Sequence, residues 1–125
     1  MTGQPDNEPI LEFAPGSAER VALQEELDRQ SAEVVEIPCI INGEKIFTGN
    51  TVTQVMPHNH SHVIANVHLA GEQEVRASCE AAVAAQEAWI ELGLEARSEI
   101  FLRAADLLAG EWRMKVNAAT MLNQS

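Results

Sequence analysis

A chain of 125 residues carrying a formal charge of −11 has room for one domain, or for one piece of a longer protein. Eight Lys and Arg against nineteen Asp and Glu exclude a nucleic-acid binder, because neutralising phosphates takes clustered cations; the acidity reads as surface solvation. Hydrophobic residues at 46% fit a folded protein, and with 4% aromatics and no Tyr its helices must pack through Ala, Leu, Ile and Val.

From Met1 to Phe13 there is neither a basic region nor a long apolar stretch, so no signal peptide is expected. No apolar run reaches membrane-spanning length. An Arg-rich transit peptide is missing as well, so the expected compartment is the cytoplasm, with the mitochondrial matrix as the alternative if a leader has been removed. Cys39 and Cys79 lack C-x-x-C spacing and are expected to be reduced and half-buried.

Met1 to Pro15, with three prolines, reads as an extended arm. Ser17 offers a helix N-cap with Glu19 in the first turn. The helix runs from Ala18 to about Gln30, with Leu23 and Leu27 one turn apart and Glu25 set to pair with Arg29. Its apolar stripe is narrow, so it should lie against a larger body. Val35, Ile37, Cys39 and Ile41 then alternate as a strand that Pro38 confines to an edge or a bulge. Asn42-Gly43 marks a type I′ hairpin, returning through Glu44 to Thr48. Thr51 to Met56 is a further strand, Pro57 to Ser61 a turn, and His62 to Leu69 a strand with Val63, Ala65, Val67 and Leu69 on one face. These strands make a small antiparallel patch.

The rear half is helical. After Gly71, the residues Val75, Cys79, Ala82, Val83, Trp89 and Ile90 recur at helical spacing up to Gly93, which serves as the C-cap. Six alanines between Ala77 and Ala88 point to close packing against a neighbour. Ile100, Phe101, Ala104, Leu107 and Leu108 form the stripe of a second helix, with Glu99 and Arg103 paired on its wet side. After Gly110, Trp112 to Gln124 is a third. So few strands cannot cover three amphipathic helices, and a covering element is therefore expected beyond Ser125.

Chemistry is sparse. Neither G-x-G-x-x-G, nor G-x-x-x-x-G-K-[ST], nor G-x-S-x-G occurs. Glu25-Glu26 sits on a solvated face. His58, His60 and His62, with His68 at the same parity, would share one side of an extended strand and could surround zinc or nickel. Pro57, Asn59 and Ser61 argue instead for a turn with solvated imidazoles. Cys79 lies mid-helix with no cation or helix N-terminus to lower its pKa, so a structural thiol is expected; Cys39 has no stronger case as a nucleophile. No catalytic, cofactor-binding or metal-binding residue is assigned.

The run PHNHSHVIANVHLA (Pro57 to Ala70), followed by EQEVRASCEAAVAAQEAW and ARSEIFLRAADLLAG, resembles the N-terminal part of aldehyde dehydrogenases. Within that superfamily NEPILEFAPGSAER (Asn7 to Arg20) and FLRAADLLAGEWRMKVNAATMLNQS (Phe101 to Ser125) look most like the 1-pyrroline-5-carboxylate dehydrogenase branch. The resemblance implies an α/β fold, present here as its incomplete N-terminal part: an arm and helix over 1–33, then the first part of the NAD-binding domain over 34–125, with the strand patch at 34–70 and helices at 72–124. It implies a parent that oxidises glutamate γ-semialdehyde to glutamate in proline breakdown, through a cysteine thiolate, hydride transfer to NAD and a glutamate-activated water. In the family those groups lie downstream of the residues present here, and neither Cys39 nor Cys79 matches the nucleophile's motif. The implied partners are the remainder of the parent chain, a small aldehyde and NAD held by the full-length parent, which would be a homo-oligomer. Another aldehyde dehydrogenase, or a stand-alone acidic α+β interaction module, is the alternative.

Overall fold

The computed structural model describes residues 7–124; the first six residues of the expected arm, and Ser125, lie outside the described residues. The arm is irregular from residue 7 to 14 and is tied at two points. Arg113 Nη1 donates to the Pro9 carbonyl at 2.8 Å, and Arg20 Nη1 to that of Phe13 at 3.4 Å. Pro15-Gly16 then turns the chain, with Ser17 N–H donating to the Ala14 carbonyl at 3.0 Å and Gly16 at φ +80°. This is the Pro-Gly chemistry of a type II turn.

Helix α1 (Ala18–Ser31) starts at the expected cap, where Ser17 Oγ accepts from the Arg20 N–H at 3.4 Å. Hydrogen bonds from its own backbone N–H and from the Ser17 hydroxyl hold the Glu19 carboxyl below the usual carboxylate range. The expected Glu25–Arg29 pair is replaced. Arg29 meets Glu26 at 3.0 Å and Glu33 at 3.2 Å, and the Glu26 carboxylate also accepts from Gln30 Nε2 at 3.2 Å.

Pro38 divides the expected first strand. Its two halves, β1 (Val35–Ile37) and β2 (Cys39–Ile41), join different sheets, because proline cannot donate to a ladder. β2 pairs antiparallel with β3 (Glu44–Ile46). The hairpin turns through Asn42 at φ 51° and Gly43 at φ 79°, the left-handed pair a type I′ turn requires. β4 (Thr51–Met56) runs antiparallel to β5 (Asn59–His68), with Thr51 opposite His68. β1 lies on the far side of β5 and runs parallel to it, Val35 opposite Ala65 and Ile37 opposite Val67. The patch is thus antiparallel only in part. The hairpin and β4, between β1 and β5, supply the long connection a parallel pair needs. Only Pro57 and His58 form the turn between β4 and β5; Asn59 already pairs with Met56, and His60 and Ser61 belong to β5 in the irregular stretch before Val63 pairs with Val55.

Helices α2 (Glu72–Glu91), α3 (Gly93–Ala109) and α4 (Arg113–Gln124) follow. Gly71 has no side chain with which to cap α2, so Glu74 Oε2 accepts the Gly71 N–H at 2.8 Å as the one available half of a capping box. Gly93 stops α2 in the left-handed conformation, φ +73°, and is at once the first residue of α3. Trp89 meets Phe101 edge to face at 6.4 Å between ring centroids, and the Arg97 guanidinium lies 5.8 Å from the Trp89 ring. These contacts close the α2–α3 corner. The expected Glu99–Arg103 pair does not form among the described residues.

The core is small. Met56, Ile64 and Leu122 are buried together, with Leu27 packed against them; Ile41, Ala65 and Ala118 complete the buried apolar residues among those described. It sits where α1 and α4 cover the β4–β5 pair, and Gln30 Nε2 fastens α1 to the Lys115 carbonyl at 2.9 Å. β5 contributes Ile64 to the cluster, on the face opposite the expected Val63, Ala65, Val67 and Leu69, of which Ala65 is itself buried. α1, α2 and α3 contain no buried residue.

Candidate functional site

The histidines do not converge. His68, with its side chain 9% exposed, accepts the Gly49 N–H on Nδ1 at 3.0 Å. Its proton therefore sits on Nε2, which donates to Glu36 Oε2 at 3.3 Å. The other Glu36 oxygen accepts from Asn66 Nδ2 at short range, 2.6 Å. With both ring nitrogens engaged, His68 cross-links β1, β5 and the loop after β3; it is not a solvated turn residue and has no lone pair left for a metal. The Phe47 ring meets it edge-on at 5.2 Å, and the Cys39 thiol lies 3.4 Å from its carbonyl. His62 Nε2 approaches the Ser31 carbonyl at 2.6 Å. A carbonyl only accepts, so His62 carries its proton on Nε2 and fastens β5 to the end of α1. Among the described residues, no group of three or more His, Cys, Asp or Glu is placed to hold a metal ion.

Parity on a strand was the signal behind the histidine constellation, and it fails because the register shifts where Asn59 pairs with Met56 and Val63 with Val55. The local signal for His68 was missed: a histidine facing an acidic residue across a parallel pair is invisible until the pairing is known.

Cys39 is half-buried as expected, whereas Cys79 is exposed. α2 presents its small residues, Ala77 and Ala81, to its neighbour and turns the face carrying Cys79 outward. Among the described residues, neither thiol hydrogen-bonds to a cation or a base.

The N-termini of α1 and α2 do not fit a dinucleotide pyrophosphate. At α2 the first amide is taken by the Glu74 carboxylate, and Glu72 adds a second negative charge to the first turn. At α1 the cap is filled by Ser17, with Glu19 beside it. An anion placed at either end would meet carboxylates instead of open N–H groups. No helix among the described residues is long and apolar enough to cross a membrane.

Two open clefts flank α4. One, of about 680 Å³, lies between α1 and the β4–β5 turn, with Leu27, Met56, Met121, His58, His62 and Asp28 in its wall. The other, about 710 Å³, separates α4 from β1, with Val35, Ile37, Ile64, Trp112 and Val116 lining it. Both walls are mostly apolar and neither converges reactive groups, so they have the character of packing surfaces rather than of a reaction chamber.

Comparison with known proteins supplies what the side chains do not. The aldehyde dehydrogenase family pattern matches residues 46–124. A delta-1-pyrroline-5-carboxylate dehydrogenase of Agaricus bisporus is 43% identical over 119 residues, which is 94% of this chain and 22% of that protein. The human mitochondrial delta-1-pyrroline-5-carboxylate dehydrogenase is 39% identical over 118 residues, 94% of this chain and 21% of that one. Among solved structures, the Delta-pyrroline-5-carboxylate dehydrogenase of Mycobacterium tuberculosis, bound with NAD and cobalamin, superposes with a TM-score of 0.95 at 39% identity. The overlap covers 100% of this chain and 23% of that protein. The chain therefore spans about a fifth of the length of the curated relatives it matches. Its fold is that of the opening portion of these enzymes, and the chain belongs to the aldehyde dehydrogenase family.

Proposed function

We propose that this chain is the N-terminal segment of an NAD-dependent dehydrogenase that oxidises L-glutamate γ-semialdehyde, the open form of 1-pyrroline-5-carboxylate, to glutamate in proline breakdown. The observation that carries this reading is the likeness over 94% of the chain to proteins named for that activity, in the same backbone arrangement. In this reading residues 1–33 are an arm and its helix, and residues 34–125 open the NAD-binding domain. The segment supplies scaffold: neither a nucleophile nor an amide cradle for NAD is built from its own residues, and the parent's later chain holds both cofactor and aldehyde. The parent assembles as a homo-oligomer, in the cytoplasm or in the mitochondrial matrix, the latter supported by the name of the human relative.

The test joins this chain to the rest of the M. tuberculosis relative, in place of that protein's own opening segment. The joined protein is expected to reduce NAD in the presence of pyrroline-5-carboxylate, followed by NADH absorbance. A joined protein that neither folds cooperatively nor reduces NAD with pyrroline-5-carboxylate would overturn the reading of these residues as the opening scaffold of such a dehydrogenase.

A further inference from the structure

α2 is apolar on two opposite sides. Glu74, Ala77 and Ala81, three and four residues apart on one face, are the partly covered positions on this helix, which packs against β2. Val75, Cys79, Val83, Gln86 and Ile90 follow one another at three- and four-residue steps on the opposite face. Val83 is 72% exposed and Ile90 60%. The stripe continues across the corner into α3, where Leu94 is 74% and Phe101 67% exposed, and a shallow apolar recess around Ala82, Val83, Gln86 and Trp89 interrupts it. A helix with apolar residues on both sides belongs between two bodies, and a contiguous patch of this kind is a contact surface.

We infer that the outward face of α2 and α3, centred on Val83, Ile90 and Phe101, is where later polypeptide of the same parent chain packs, leaving α2 sandwiched between β2 and that polypeptide. The inference rests on the functional reading above and specifies the partner surface. Relatives more than four times as long as this chain supply the occupant. The agreement in backbone with a full-length relative, TM-score 0.95, places both helices as they stand when that chain is present. Charge argues against a second copy. The net charge is −11, and Glu80, Glu87, Glu91, Glu95 and Glu99 flank the stripe, so two such faces would bring like charges together. The occupant is an apolar surface whose rim is not acidic.

Cys79 lies on this face and reports on it without mutation. Peptide-resolved alkylation is followed in the 125-residue chain and in the joined protein described above. In the isolated chain Cys79 is expected to react at the rate of an exposed thiol, independent of protein concentration. In the joined protein the rate should fall at least about tenfold, corresponding to about 1.4 kcal/mol for opening the covered face. An active joined protein in which Cys79 reacts as fast as before overturns the inference while leaving the functional reading intact. An inactive one in which Cys79 is protected does the reverse. Labelling of the isolated chain that slows as concentration rises identifies a second copy as the occupant and also overturns it. If the joined protein lacks a cooperative melt, aspartate is introduced into the intact M. tuberculosis relative at the positions aligned with Val83 and Ile90. A lowered Tm supports the inference, and an unchanged Tm contradicts it.

Discussion

His68 and Glu36 face each other across a parallel strand pair at 3.3 Å. The bond is directional because Gly49 N–H occupies the other imidazole nitrogen. One side chain thereby ties together two strands and the loop that separates the two sheets. Replacing His68 with Ala leaves the Gly49 amide without its acceptor and removes the Phe47 ring contact. Gly49 is exposed, so water can replace the lost acceptor, and the expected cost is about 0.5–1.5 kcal/mol, the usual net worth of a hydrogen bond, read as a lower urea midpoint. In the unaltered chain, zinc should leave the ring resonances of His58, His60, His62 and His68 unshifted; a shifted His68 signal would mean that the imidazole is available to metal.

The division between covered and uncovered apolar residues predicts two classes of substitution in the isolated chain. Leu122→Ala removes a member of the Met56–Ile64–Leu122 cluster and should cost about 2–5 kcal/mol. Ile100→Ala, on a face that nothing covers in this chain, should change stability by less than about 0.5 kcal/mol. Denaturant melts of the two variants side by side distinguish them. Equal losses would show that α3 is packed in solution in a way this structure does not contain.

Gly43 sits at φ +79° in open space, where an added methyl group would meet no atom within 4 Å. Any effect of Gly43→Ala is therefore backbone strain alone, expected at about 1–2 kcal/mol. Asn42 already occupies the left-handed region, so the hairpin register should survive, and exchange protection of Cys39 to Ile46 should keep its pattern.

The Arg29 guanidinium, and after it the Gln30 amide, hold the Glu26 carboxyl below the usual carboxylate range. Its folded pKa is depressed, so the contribution to stability is present above the unfolded carboxylate pKa and is lost as the pH falls through the folded value. The Glu26 side chain is partly buried but its partner Arg29 is 54% exposed, so the effect is small and screened by salt. The difference in melting temperature between the unaltered chain and Glu26→Gln should be largest at neutral pH in low salt and disappear in acid. A difference that grows in acid would contradict the assignment.

What could be read from the residues was governed by local chemistry. Ser17 as a cap, Asn42-Gly43 as a type I′ turn and Gly93 as a helix stop each depend on neighbours a few positions away, and each was legible. The division at Pro38, the parallel pairing of Val35–Ile37 with β5 and the bond from Glu36 to His68 depend on partners some thirty residues distant, and alternation alone carries no register. The same limit explains Ile64. Ile64 is the one apolar residue on a parity otherwise made of His60, His62, Asn66 and His68, so periodicity pointed to the other face. Cys79 was expected to be half-buried because its stripe is apolar. No element among the described residues covers that stripe, and the thiol is exposed.

The central claim, that these residues open a longer dehydrogenase, is tested most directly by reading the coding DNA beyond the codon for Ser125. The account predicts an open frame running on through a Gly-rich nucleotide-binding loop to a cysteine in the nucleophile's motif of the aldehyde dehydrogenase family. A stop codon immediately after Ser125 would contradict it.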